Sequence, residues 1–354
     1  MRNLHRPLSF CSNTSCPSNH DKSAPRLAIH GSFRTRTGPR RRRICKLCGT
    51  TASATAGTPY HRMRRPKGDL DKALHMSSEG MSCSSIARVL GVAASTVTRW
   101  IDKAGRHAQA FSDEHGQIEE PTELQLDELK SFGIGEAEDT WCYSAIEVGS
   151  RFWVALHVGR RTLRSTLIFV RGVRVACGPL PYPILVTTDE FKYYLPCIGR
   201  VFGPSCAYVQ VNNLYRRDRI LRTRSKLVLG PPWRLEYVTR EWEEGRRFNV
   251  SYSERQNLFM RVACCFLHRR WPGRARSVDR LSSFLEILRA YYNYIRPHSS
   301  LGCKGHRSTP AMAAGIFTRP LSFRAVMSWV PRPGRVTPLR RLVEWTTLGR
   351  RARG

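Results

Sequence analysis

The chain has 354 residues, 41% of them apolar, and its 59 lysines and arginines against 27 aspartates and glutamates leave a formal charge of +32. That length accommodates one substantial core plus one or two small modules and excludes a miniature disulfide scaffold. A charge of this size repels itself in a compact state unless a polyanion is the working partner, which makes nucleic acid the leading partner class.

Only nine of the basic residues are lysine. Arginine forks bidentately onto phosphates, although biased codon usage produces the same excess. The 12 cysteines are scattered, several in apolar runs (Cys142, Cys177, Cys264, Cys265), which implies a reducing compartment. No apolar run reaches the roughly 18 residues of a membrane span and no secretory segment is visible, so a cytoplasmic protein with no membrane partner is expected.

In chain order, Cys11 and Cys16 form a C-x4-C pair and Cys45 with Cys48 a C-x2-C pair. Two such knuckles supply the four thiolates of a tetrahedral structural zinc, with Gly49 free to turn the backbone after the second. Four unrelated reduced cysteines, or His20 or His30 in place of one cysteine, are the alternatives. Between the knuckles runs RTRTGPRRRR, whose Arg34, Arg36, Arg40, Arg41, Arg42 and Arg43 are expected on DNA phosphates. This module is assigned to residues 1–60.

Residues 61–106 read as a helix-turn-helix unit. Leu70, Ala73 and Leu74 start an apolar stripe; Ile86, Ala87 and Leu90 form the inner face of a short helix; Gly91 permits a sharp turn. Ser95 is expected to cap the next helix, in which Val97, Trp100 and Ile101 face inward. Ser95, Thr96, Thr98 and Arg99 are then exposed where a recognition helix reads base edges. An ordinary helical hairpin is the bland alternative.

Residues 107–122 are polar and acidic and are expected to form a linker. Beyond them the hydrophobic period falls to two: TELQLDEL, TWCYSAIEV and RFWVALHV predict three consecutive strands, with turns at 133–139 and 149–150. A helix over 162–173, a buried strand PYPILVTTD ending at Asp189, a helix over 191–201 and a strand over 206–211 follow. The pattern predicts an α/β (α+β) layer fold with a mixed sheet over 123–316. Residues 213–247 are expected to be an irregular basic insertion able to touch DNA, and 317–354 an irregular basic tail.

Two acids, Asp127 and Asp189, sit at or near the ends of predicted strands, and Glu254 lies on the predicted helix NVSYSERQNLFMR. At 3.6 residues per turn, Glu254, Asn257, Leu258 and Arg261 share one stripe. Three carboxylates from two strands and a helix can hold two magnesium (or manganese) ions across a scissile phosphate, which activates an attacking hydroxyl and stabilises the leaving oxygen. Adjacent strand residues face opposite ways, so only one acid of Asp127/Glu128 and one of Asp189/Glu190 can point into such a site. The aspartates are preferred for their shorter reach.

The order of zinc knuckles, helix-turn-helix, Asp, Asp, a helix carrying S-x-S-E-R-Q-N-L-x-x-R, then YNYIRPHSSLG and STPAMAAG resembles the DDE insertion-sequence transposases. It is most similar to the first-numbered insertion-sequence family, with an InsA-like head and an InsB-like catalytic part. The resemblance covers residues 10 to 316. It implies an RNase-H-like catalytic domain, divalent metal at Asp127, Asp189 and Glu254, and Asn257 and Arg261 supporting the glutamate and a phosphate. It further implies cutting and joining of the element's terminal inverted repeats, with double-stranded DNA ends and target as partners and a homodimer or larger assembly on DNA. The sequence departs from the family in its 65-residue interval between Asp189 and Glu254 and in its tail. The rival class is a non-catalytic or decayed DNA-binding repressor; a structure-selective nuclease gives no reason for two DNA-reading modules.

Overall fold

The computed structural model describes residues 11–20, 27–36, 38–131, 139–216, 219–240, 242–243, 246–268, 275–302 and 307–330. Most of the expected turn at 133–139 and the tail from 331 onward lie outside the described residues.

The head opens with a short helix α1 (Pro17–His20) and a three-stranded antiparallel sheet: β1 (Leu27–Thr35), β2 (Gly38–Cys45) and β3 (Thr51–Ser53), in the order β1-β2-β3. The arginine run is therefore a β-hairpin. Thr35 pairs with Gly38 across the turn, and Gly38 at φ 105° takes a backbone conformation that a side chain would oppose.

Three helices follow, α2 (Lys67–Ser78), α3 (Cys83–Leu90) and α4 (Ala94–His115). Leu70, Ala73, Leu74, Ile86, Ala87, Val97 and Ile101 are buried together, as the apolar stripes predict. The Ser82 hydroxyl caps α3 by accepting from Ser85 N–H. Gly91, left-handed at φ 61°, ends it, and Val92 N–H returns to the Ala87 carbonyl. Ser95 does not cap α4. That position falls to Ala93, with no side-chain bond, and Ser95 lies within the first turn.

The expected linker is a second correction. α4 runs on to His115, and His107, Ala108, Phe111 and Ser112 are buried. The acidic letters had masked a 3.6-residue apolar stripe, Ala104, Ala108 and Phe111, which packs against a later helix.

The second part is a six-stranded mixed sheet of β4 (Glu123–Lys130), β5 (Thr140–Glu147), β6 (Trp153–Arg160), β7 (Ile184–Thr188), β8 (Cys206–Arg216) and β9 (Arg219–Leu229). Their order is β6-β5-β4-β7-β8-β9. β4, β5 and β6 form an antiparallel meander; β7 adds parallel to β4, β8 parallel to β7, and β9 antiparallel to β8. The mixed α/β architecture thus agrees with the sequence reading. The irregular insertion does not: residues 213–247 complete β8, form β9 and add a helix, α7 (Pro232–Thr239), after the Gly230 turn.

α5 (Leu163–Ala176), capped by Thr162, and α6 (Tyr194–Val201) cover one face of the sheet. α7, α8 (Ser251–Ala263) and α9 (Val278–Ala290) cover the other. α9 continues as a π-helical turn, Tyr291–Ile295, before Pro297 stops it. Its buried Glu286–Arg289 ion pair spans 2.8 Å, and Arg289 also donates to the Val154 carbonyl of β6. Burial pushes the Glu286 carboxyl up to about 7 despite Arg289.

Two short helices close the described chain, α10 (Pro310–Ala313) and α11 (Phe323–Ser328). The start of the tail is therefore core rather than irregular surface: Phe317, Phe323, Val326 and Met327 are buried, and His107 donates to the Val326 carbonyl at 3.2 Å. Among the described residues, no helix is long and apolar enough to cross a membrane.

Candidate active site and nucleic-acid interface

Asp127 belongs to central strand β4, Asp189 follows the last residue of β7, and Glu254 lies in the first turn of α8. All three line one open cavity of about 670 Å³, together with Arg161, Glu190, Lys192 and Asn212. The sheet order explains this: β4 and β7 are parallel neighbours, so their carboxyl ends open side by side, where such sheets place ligands.

Asp127 is the most constrained of the three. Its Oδ1 accepts from Glu128 N–H at 2.8 Å and its Oδ2 from Asn257 Nδ2 at 2.7 Å. Burial first, then the charges of Glu128, Asp189 and Glu254, push its carboxyl up to about 8. Burial also raises Asp189, opposed by a hydrogen bond from Phe191 N–H at 3.0 Å and by the Arg161 charge. Acids that oppose one another's ionisation in one cavity form a donor set that a divalent cation relieves, and carboxylate oxygens suit magnesium. Among the described residues, however, the four cysteines alone bring their ligand atoms all within 4.8 Å of one another. The three carboxylates share a cavity at wider spacing.

The neighbouring acids divide as the strand alternation predicts at the first pair only: Glu128 does not line the cavity, whereas Glu190 lines it together with Asp189. Glu128 turns to the opposite face, where Arg161 Nε and Nη2 reach its Oε1 at 3.0 and 2.6 Å. Glu190 is exposed and accepts from Asn212 Nδ2 at 2.6 Å. The two supporting residues are placed differently from expectation. Asn257 holds Asp127, and Arg261 lies near Cys142 of β5 and does not line the cavity.

Sequence reasoning missed Gln125. α8 lacks a side-chain cap of its own at Val250. The fully buried Gln125 supplies one from β4: its Oε1 accepts from Tyr252 and Ser253 N–H at 3.0 and 3.2 Å, and its Nε2 donates to the Asn249 carbonyl at 2.9 Å. The signal was its position two residues before Asp127, on the same strand face. Arg161 was also missed, because its setting is wholly tertiary. It is held between Glu128 and the rings of Trp141 and Phe191, at 4.4 and 4.1 Å from their centroids, and presents a cation to the cavity.

In the head, the four expected cysteines converge. Cys11 Sγ lies 3.4 Å from Cys48 Sγ, and Cys16 Sγ 3.9 Å from Cys45 Sγ. Zinc–sulfur bonds of about 2.3 Å set tetrahedral sulfur–sulfur edges of about 3.8 Å, so the cluster fits a structural zinc as it stands. Burial pushes the Cys11 thiol up to about 12, whereas hydrogen bonding to Thr50 brings the exposed Cys48 down to about 6.

On the adjoining hairpin, Arg34, Arg36, Arg41 and Arg42 are exposed, and Arg42 lies over the Phe33 ring. Arg40 and Arg43 are half-buried, and Arg40 is committed to the Met63 carbonyl at 2.9 Å. On α4, Ser95 and Arg99 are exposed one turn apart and Thr96 is half-exposed beside them. Thr98 instead turns toward Cys83 of α3 and leaves the reading face. Fully buried Val97 and Ile101 fix the rotation of the helix.

Residues 72–110 match the model of the Homeodomain-like domain family. The matched span starts inside α2 and ends five residues before the end of α4. The head therefore carries a homeodomain-like helix-turn-helix, a domain type typical of transposase DNA-binding domains. No curated protein matches the chain.

Proposed function

We propose that the chain is a DDE-type transposase: a metal-dependent DNA phosphoryl transferase that binds the ends of its own mobile element and cuts and joins DNA strands. The observation that carries this reading is the convergence of Asp127, Asp189 and Glu254 on one cavity, with Asn257 and Gln125 tying α8 to the strand that bears the first acid. The mixed sheet with an antiparallel meander and two added parallel strands supports the RNase-H-like assignment.

In this reading the three carboxylates hold divalent cations, which supply Lewis-acid charge at the scissile phosphate. Asn257 fixes the orientation of Asp127. Gln125 sets the position of Glu254 by holding the helix that carries it. Arg161 and Lys192 place positive charge along the cavity for the phosphate backbone. The homeodomain-like unit and the basic zinc hairpin select and hold the element end.

A second reading, a DNA-binding repressor without cleavage, draws on the wide spacing of the three carboxylates. One experiment separates the two. With a labelled terminal repeat in magnesium, the transposase reading expects cutting and joining that vanish in Asp127→Ala, Asp189→Ala and Glu254→Ala while end binding persists. Neither neighbouring acid is a clean control: Glu128→Ala frees Arg161 beside the cavity, and Glu190 lines the cavity itself. Unaltered cutting by Glu254→Ala overturns the assignment, and binding without cutting by the unmodified protein selects the repressor.

A further inference from the structure

The β8–β9 ribbon outruns the strand beside it. β7 pairs with β8 from Cys206 to Gln210 and stops at Thr188, whereas β8 and β9 remain paired out to Arg216 and Arg219. At about 3.3 Å per residue, the overhang projects roughly 20 Å. It projects from the catalytic end of the sheet, since Asp189 and Glu190 follow Thr188. Val211, Asn212 and Asn213, where the overhang begins, line the catalytic cavity.

Cross-strand partners share a face, which places Arg224 with Asn212 and Lys226 with Gln210. Arg224, Ser225 and Lys226 are exposed on edge strand β9, and neither cation makes an ion pair among the described residues. Three amides on β8 are each tied at one end: Asn212 donates to Glu190 at 2.6 Å, Asn213 accepts from the Thr223 hydroxyl at 2.9 Å, and Gln210 donates to the Tyr208 hydroxyl at 3.2 Å. What the ribbon offers outward is cationic and hydroxylic. Lys192 adds a further cation on the cavity lining.

We propose that this ribbon grips duplex DNA beside the scissile position through its phosphates, without reading sequence. A two-stranded ribbon is narrow enough to enter a major groove about 12 Å wide. Arg224 and Lys226, alternate residues on one face, stand about 6.8 Å apart, twice the axial rise of about 3.4 Å per phosphate on one DNA strand. The helix-turn-helix packs through α4 and α9 onto β6, at the opposite edge of the sheet. The protein would thus hold its end sequence at one edge and the DNA flanking the cut at the other.

The proposal rests on the cavity being the cutting site, and its test does not require cutting. The full chain and an Arg224→Ala/Lys226→Ala double variant are titrated with random-sequence duplex and with the terminal repeat across a salt series. Loss of two phosphate contacts should flatten the log–log salt slope by about 2 and weaken both duplexes equally. Arg224→Lys should restore most of the slope. An unchanged slope, or a loss confined to the terminal repeat, overturns the proposal. A photoreactive residue in place of exposed Ser225 gives an independent reading: crosslinks should map within one helical turn of the cut position, and their absence there counts against the grip. If the unmodified protein never cuts, the salt slope still decides whether the ribbon binds DNA, so failure of one reading is distinguishable from failure of the other.

Discussion

Asn257 on α8 donates to Asp127 on β4 at 2.7 Å, and this one bond joins the helix that carries the third acid to the strand that carries the first. Two residues earlier on the same strand face, Gln125 accepts from the second and third N–H groups of α8, those of Tyr252 and Ser253. The relative position of Asp127 and Glu254 is thus set by two amides. Neither amide lines the cavity.

Asn257→Ala should leave folding and end binding near normal and reduce cutting by tenfold or more at low magnesium, with partial rescue as magnesium is raised. A positioning residue weakens metal capture rather than chemistry at saturation. Gln125→Leu should be worse, because it strands two α8 N–H groups in a buried setting at about 1–3 kcal/mol each. Magnesium titrations of cutting, together with urea unfolding, check both. A cutting rate that falls equally at all magnesium concentrations in Asn257→Ala would mean that the amide acts elsewhere.

Much of this geometry was legible in the sequence, for reasons specific to each element. The helix-turn-helix could be read because Gly91, the small-residue helix before it and the apolar stripe after it obey local rules. Asp189 and Glu254 could be read because one follows and the other starts a strongly patterned segment, whereas Asp127, expected near a strand end, lies inside β4. The true extent of α4 was obscured by DEHGQIEE, where acidic letters outweighed Ala104, Ala108 and Phe111, whose burial depends on a helix that begins at Val278. β9 was missed because an edge strand rich in arginine lacks an apolar alternation. α11 was missed because a six-residue helix has too few turns to show a period, and its burial is decided by contacts with α2 and α4. The partner of Asn257 could not be read from helix spacing, which gives neighbours along α8 and says nothing of what lies across from it.

Acid should act against the fold at two histidines. Burial holds both His107 and His157 down at about 4, below the usual value of 6.5. With a folded pKa below the unfolded one, the unfolded chain binds protons first, so stability is fully present above about 6.5 and is lost as pH falls toward 4. The raised carboxyls of Asp127 and Glu286 act with the opposite sign, because the folded chain takes up their protons first, so the histidine part is read as the difference in urea midpoint between the unmodified chain and a histidine variant across pH 7.5 to 4.5. His107→Gln, which keeps a donor near the Val326 carbonyl, should be less stable at pH 7.5 but show a shallower acid slope. An acid slope identical to that of the unmodified chain would assign the loss to other groups.

Zinc removal should act locally. Among the described residues, the cysteine cluster shares its small core with Leu27, whereas the helix-turn-helix is packed into the main core. Chelation, or Cys45→Ser, should therefore unfold the β1–β3 sheet and lower DNA affinity through the lost hairpin arginines, while the main thermal transition moves little. Circular dichroism and DNA titration with and without chelator measure the two effects. A single cooperative collapse on chelation would show that the head and the core fold as one unit.

Helix α4 meets α9, which packs on the six-stranded sheet, through a contact too close for any side chain. Gly105 of α4 faces Ser283 of α9, and a methyl group there would lie 2.5 Å from the Ser283 Cα. In an exposed helix, alanine in place of glycine stabilises by up to about 1 kcal/mol. At position 105 the sign should reverse: the clash is with backbone, which cannot rotate away, and overpacking of this kind costs about 1–3 kcal/mol. Gly199, in α6, has nothing within 4 Å of an added methyl and supplies the control, so Gly199→Ala should be neutral or stabilising. Because α4 spans 22 residues, about 33 Å, displacing its packed half also tilts Ser95 and Arg99 relative to the cavity. Gly105→Ala should therefore keep binding to the terminal repeat yet shift or blur the position of the cut, which mapping of cleaved ends at nucleotide resolution detects. A variant as stable as the unmodified chain, cutting at the unshifted position, would refute the view that this helix fixes the distance between the sequence read and the phosphate attacked.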